Sequence, residues 1–170
     1  MKRVVVTGMG SLTAVGANVN EGFNSLCKGV SGIQNVDEAH EDIKTLGTRI
    51  GAPVTKDFDM DFWLAKTPME FRTKGLAYSL STATECLVDA GWLPSADDDH
   101  ESTAVIGGTC NNIITNLFHD IDTEHEEEGT YHFLPHAETN FIASSFNFQG
   151  PAITINEACA TNLLGVIEGY

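Results

Sequence analysis

Cys159 lies in the stretch ITINEACATNLLGVIEGY, Ile153 to Tyr170, where a β-branched run gives way to an apolar segment of helical character. At a strand-to-helix bend the first helical N–H groups are unpaired and the macrodipole is positive. Both favour the thiolate, which is the nucleophilic form of cysteine. The amide of Cys159 can point the same way and stabilise an oxyanion, and alanines on either side leave room for an acyl chain. Ordinary packing is the competing reading, because cysteine is among the residue types most often buried. A nucleophile also needs a partner base, and none follows Cys159 before Tyr170.

The other reactive side chains form weaker patterns. Cys27, Cys86 and Cys110 have neither metal-ligand nor CxxC spacing, so they read as reduced thiols, with Cys27 and Cys86 as core residues on helices. His119, His125, His132 and His136 lie near Glu124 to Glu128, yet their spacing fits no zinc pattern and Pro135 interrupts the last pair. No metal is expected. TGMGSLTAVG carries Thr13 where a dinucleotide fingerprint needs its third glycine, and no Gly-Lys-Ser/Thr follows, so a nucleotide site is not expected either.

Charge divides the chain. All nine Lys and Arg lie between Lys2 and Lys74, balanced there by nine acids, whereas Gly75 to Tyr170 holds fifteen acids and no base. The net charge of −15 therefore resides wholly in the later part, and such a surface repels nucleic acid and anionic membranes. Lys66, Arg72 and Lys74 form the densest basic cluster. No apolar run approaches the roughly 18–20 residues of a membrane span. MKRVVVTG is strand-like from Arg3 onward and too short for a secretion signal, which favours the cytoplasm.

The elements that position Cys159 follow from periodicity. Arg3 to Thr7 reads as a doubly buried strand, and Asn20 as the cap of a helix from Glu21 to Lys28, closed by Gly29. Residues 34–61 read as polar loop with a small strand from Thr48 to Ala52. The strongest helix runs from Glu70 to Ala90, with Leu76, Leu80, Ala83 and Leu87 at helical spacing and Gly91 as its stop. Strands at Thr103 to Gly107 and Ala152 to Asn156 flank helices at Asn111 to His125 and Phe141 to Phe148. Ala160 to Tyr170 begins a helix apolar nearly all round, which should be buried. Alternating strands and helices imply an α/β layer fold with a mostly parallel sheet.

GPAITINEACAT resembles the active-site signature of the β-ketoacyl-[acyl-carrier-protein] synthases, the condensing enzymes of the thiolase superfamily. RVVVTGMGSLTAVG with EGFNSLCKGVSGI, TAVIGGTC with the next two asparagines, the helix ending in DAGW, HFLP and ASSFNFQGPA match in order. The resemblance is colinear over nearly the whole chain and nearest to the type II elongating synthases. It implies a thiolase-like layered fold of which residues 1–170 form an incomplete N-terminal half, cut before its last strands. It implies Cys159 as acyl acceptor, malonyl-carrier as second substrate, acyl-carrier protein as partner and no metal or redox cofactor. Two histidines and a lysine that assist the chemistry come, in the family, from a later part of the chain. On the same resemblance Cys110 and Phe133 line the acyl pocket, Phe133 reaching across a homodimer, and Lys66, Arg72 and Lys74 dock the acidic carrier. Ala152 to Asn156 becomes an edge strand pairing with its two-fold mate. Asn156 and Glu157 depart from the small residues usual before the Ala-Cys pair, and a carboxylate aimed at the thiol would oppose its ionisation. A non-catalytic carrier-binding or scaffold partner, or a thiolase using coenzyme A, would share much of this pattern.

Overall fold

The bend that carries Cys159 is held by a parallel strand pair with a helix on each face. A computed structural model describes residues 3–35, 49–67, 73–95, 100–109 and 135–170. They fall into two compact units, Met1–Val6, Asp61–Leu80 and Trp92–Tyr170 in the first, Thr7–Met60 and Ser81–Gly91 in the second. The elements in chain order are α1 (Val19–Cys27), β1 (Gln34–Asn35), β2 (Ile50–Gly51), α2 (Met60–Leu64) and α3 (Lys74–Asp89). They continue with β3 (Val105–Gly108), α4 (Ala137–Ser145), β4 (Ala152–Ile155) and α5 (Thr161–Gly169), the last preceded by a 3-10 turn, Ala158–Ala160.

In the first unit β3 and β4 pair in parallel, Val105 opposite Ala152 and Gly108 opposite Ile155. Successive residues of a strand face opposite sides, and two adjacent glycines exploit this. A Cβ on Gly107 would lie 2.2 Å from the Thr139 hydroxyl of α4, and one on Gly108 would lie 2.4 Å from the Thr161 methyl of α5. The missing side chains let α4 settle on one face and α5 on the other. Ile106 shares the Gly108 face and meets α5 where Gly165 and Gly169 present no side chain. Thr154 donates to Thr139 at 2.7 Å across the α4 side, satisfying a hydroxyl in a buried position. The layered α/β arrangement and parallel pairing are as the sequence implies.

The turn into β4 has its own support. Asn147 adopts φ 54° after α4, and Phe148 N–H and Asn147 N–H return to the carbonyls of Ala143 and Ser144 at 2.8 and 3.2 Å. This is a Schellman closure, so the expected helix from Phe141 to Phe148 starts earlier and stops at Ser145. Phe148 instead stacks between Trp92 and Phe146, with the His100 ring against it.

In the second unit the glycine-rich loop serves helix packing. Cβ atoms on Gly8 and Gly10 would fall 2.2 Å from the Cys86 carbonyl oxygen and 2.0 Å from that of Thr82 on α3. Glu85 on α3 accepts from the amides of Ser11 and Val19 at 2.9 and 2.8 Å, and Asp89 from that of Met9 at 2.9 Å. Those carboxylates fasten an otherwise irregular segment to a regular one. β1 and β2 form a short antiparallel pair.

Several expectations are corrected. Asn18 rather than Asn20 caps α1, its side chain accepting from Glu21 N–H at 2.9 Å, whereas Gly29 closes the helix as expected with φ 69°. The Thr73 hydroxyl accepts from Leu76 N–H at 3.2 Å and caps α3 at Lys74, while the expected start at Glu70 lies outside the described residues. Arg3 to Thr7 forms no strand, and Val6 is 83% exposed: β-branched residues favour extended backbone but a strand needs a neighbour to complete its ladder. Cys27 is exposed at the end of α1, where Gly22 is the buried residue, so it is not a core thiol. α5 is not enclosed by the described residues, with Leu163 65% and Val166 72% exposed, because the side carrying Thr161, Gly165 and Gly169 is the one that meets β3. The expected helix from Asn111 to His125 lies outside the described residues. No helix among the described residues is long and apolar enough to cross a membrane.

Candidate active site

β4 ends at Ile155, and the chain reaches α5 through Asn156, Glu157 and the 3-10 turn Ala158–Ala160 with Cys159 at its centre. The thiol is exposed. Ala160 N–H bonds the Glu157 carbonyl at 3.0 Å, closing the turn. Ala158 lies at φ 48°, a left-handed conformation that costs a non-glycine residue roughly 1–2 kcal/mol. Such strain persists only where neighbours over-determine it.

Thr161, 2% exposed, supplies that determination. Its hydroxyl accepts from Glu157 N–H and donates to the Ala158 carbonyl, both at 2.8 Å. The residue that follows the strand and the residue that bends are thus tied to the first residue of α5. Glu157 is exposed and lies beyond the strand, so its backbone, not its carboxylate, takes part in the bend. The chemistry open to this arrangement is nucleophilic: an accessible sulfur on a braced turn at the amino end of a nine-residue helix.

Of the other residues singled out, Cys110, Phe133 and Arg72 lie outside the described residues. Lys66 and Lys74 are exposed. The Lys66 ammonium sits 4.7 Å from the centre of the Phe62 ring, a cation–π contact worth about 0.5–1 kcal/mol at an exposed site. Lys74 opens α3. Among the described candidates, Cys159 is the one whose turn is braced by hydrogen bonds from a neighbouring side chain. Thr161 and the left-handed Ala158 were not foreseen from the sequence. A hydroxyl two residues past the cysteine, at the start of a helix, was the available signal.

The thiol-bearing bend thus joins a parallel strand to a helix within α/β layers. The chain belongs to the beta-ketoacyl synthase N-terminal domain family, whose model matches residues 1–168. The 3-oxoacyl-[acyl-carrier-protein] synthase 2 of Vibrio cholerae is 32% identical over 95% of this chain and 40% of its own length. The mitochondrial 3-oxoacyl-[acyl-carrier-protein] synthase of Arabidopsis thaliana is 29% identical over 94% of this chain and 39% of its own. A crystal structure of a beta-ketoacyl synthase from Burkholderia phymatum superposes with a TM-score of 0.72 at 20% identity, covering all of this chain and 43% of that one. A ketosynthase from module 6 of the bacillaene synthase of Bacillus subtilis gives 0.66 at 18% identity, over 96% of this chain and 28% of that one. The chain thus spans about two fifths of the length of the curated relatives it matches.

Proposed function

We propose that this chain supplies the acyl-accepting part of a carrier-dependent condensing enzyme of fatty acid biosynthesis, with Cys159 as nucleophile. The carrying observation is the exposed thiol on a braced bend between β4 and α5, in a chain of this family. The names of the relatives, 3-oxoacyl-[acyl-carrier-protein] synthases, favour a carrier-borne substrate over a coenzyme A ester. In the first step Sγ attacks the thioester carbonyl, the bond to the carrier sulfur breaks, and the thiol proton ends on the departing pantetheine sulfur. In the second, malonyl-carrier loses carbon dioxide, its carbanion forms the new carbon–carbon bond, and Cys159 leaves as thiolate and is reprotonated. Neither step calls for a resident metal or redox cofactor. The 170 residues form one N-terminal domain that is a poor catalyst alone, since the resemblance places two histidines and a lysine of the reaction in a further part of the protein. Lys66, Arg72 and Lys74 steer the acidic carrier, and Cys110 and Phe133 contact the acyl chain. β4 has one edge paired with β3 and its other edge unpaired among the described residues, which supports its use in a homodimer.

Incubation of the chain with acyl-carrier protein bearing a labelled acyl group, followed by peptide mass spectrometry, tests the reading. Label on Cys159, absent in Cys159→Ala, is the expected result. Carrier binding without transfer would support a scaffold role instead, and faster transfer from acyl-coenzyme A would support a thiolase.

A further inference from the structure

Cys159 makes no described side-chain bond, so its placement depends on the backbone around it, which is closed by the Ala160 N–H to Glu157 carbonyl bond and braced by one side-chain hydroxyl. We propose that Thr161 is a positioning residue: its buried hydroxyl, bridging Glu157 N–H and the Ala158 carbonyl, fixes the left-handed bend that presents Cys159 at the entry to α5. The inference rests on the reading of Cys159 as acyl acceptor.

Three features support it. A hydroxyl has one proton to donate and lone pairs to accept, and here both capacities are spent on the two residues before the cysteine. A different conformation at Ala158 would break both bonds together, so the hydroxyl couples to the strained φ directly. The methyl is seated as well: it occupies the gap left by Gly108 on β3, where a Cβ would come within 2.4 Å, and a β-branched side chain is stiff at χ1. β3 thereby transmits its position through Gly108 and Thr161 to the bend. Thr161 touches no reacting atom in this scheme. It acts through the placement of Cys159.

The test is alkylation of the full chain by iodoacetamide, in which the Sγ–carbon bond forms, iodide leaves and the thiol proton passes to buffer. Peptide mass spectrometry follows Cys159 and Cys27 separately, both being exposed thiols. In the unaltered chain Cys159 should react at least about fivefold faster than Cys27, the scale set by a single net hydrogen bond. Equal rates would overturn the nucleophile reading itself. Thr161→Val keeps the shape and removes the hydroxyl, and should slow Cys159 by about fivefold or more with Cys27 unchanged. Thr161→Ser, which keeps the hydroxyl, should return Cys159 to within about twofold of the original rate. A fast Cys159 in Thr161→Val, or equal slowing in both variants, would overturn the positioning role while leaving the nucleophile intact. Amide hydrogen exchange in the unaltered chain requires no variant to fold. Glu157 N–H should exchange at least about tenfold more slowly than a free peptide amide, and exchange at the free rate would overturn the proposal.

Discussion

Glu85 shows how much one side chain can organise. Its two oxygens receive the amides of Ser11 and Val19, which lie in a segment with little regular structure of its own. Glu85→Ala would leave both N–H groups without that acceptor, and a lost bond to a charged group costs about 1.5–3 kcal/mol. Urea unfolding should therefore show a fall of about 2–3 kcal/mol, with Glu85→Gln losing less because it keeps one carbonyl acceptor. A change below about 0.5 kcal/mol would mean that the glycine contacts and the Asp89 bond hold the loop without Glu85. At this scale the sequence was legible where chemistry is local. Cys159 was recognisable because its neighbours, strand before and helix after, are contiguous with it. Thr161 was not, because its value depends on a bend at Ala158 that the residue type Ala argues against. Glu85 was hidden for a similar reason, its partners lying more than sixty positions away in the chain.

Elements were legible at their ends more than in their partnerships. Gly29 and Gly91 stop their helices with φ of 69° and 67°, a conformation that glycine adopts without the usual Cβ penalty, so residue type alone was informative. Asn147 does the same for α4 and was missed, because asparagine is only sometimes left-handed. Arg3 to Thr7 was misread for the opposite reason, since three valines express a conformational preference and cannot name a neighbour. The Asn147 closure makes a two-way prediction. Asn147→Ala should destabilise the chain by about 1 kcal/mol, because alanine bears the left-handed penalty without an amide group to offset it. Asn147→Gly should be neutral or stabilising, since glycine suits that φ. Thermal melts of the two variants check the order. If alanine proves no worse than glycine, the Schellman turn is not what ends α4 in solution.

For the whole molecule, α5 connects the fold to its surface chemistry. One side of the helix, Thr161, Gly165 and Gly169, lies toward β3, while Leu163, Val166, Ile167 and Tyr170 recur at helical spacing on the other and are exposed. The same helix starts beside Cys159, so whatever covers its apolar stripe also constrains the approach to the thiol. A contiguous exposed stripe of this kind marks a surface that binds or aggregates. The sequence conveyed that the stripe is apolar, and hence that burial is favourable. It could not convey which surface supplies the cover. The 170-residue chain should accordingly bind a hydrophobic dye such as ANS and scatter light increasingly with concentration. Leu163→Glu combined with Ile167→Lys places an acid four residues before a base on that stripe, an arrangement worth about 0.2–0.5 kcal/mol to a helix. The double variant should reduce dye emission by about half and suppress scattering while stability stays within about 0.5 kcal/mol, because neither side chain is buried. A loss of more than about 2 kcal/mol would instead show that the chain already packs this stripe in solution, since only buried positions respond so strongly.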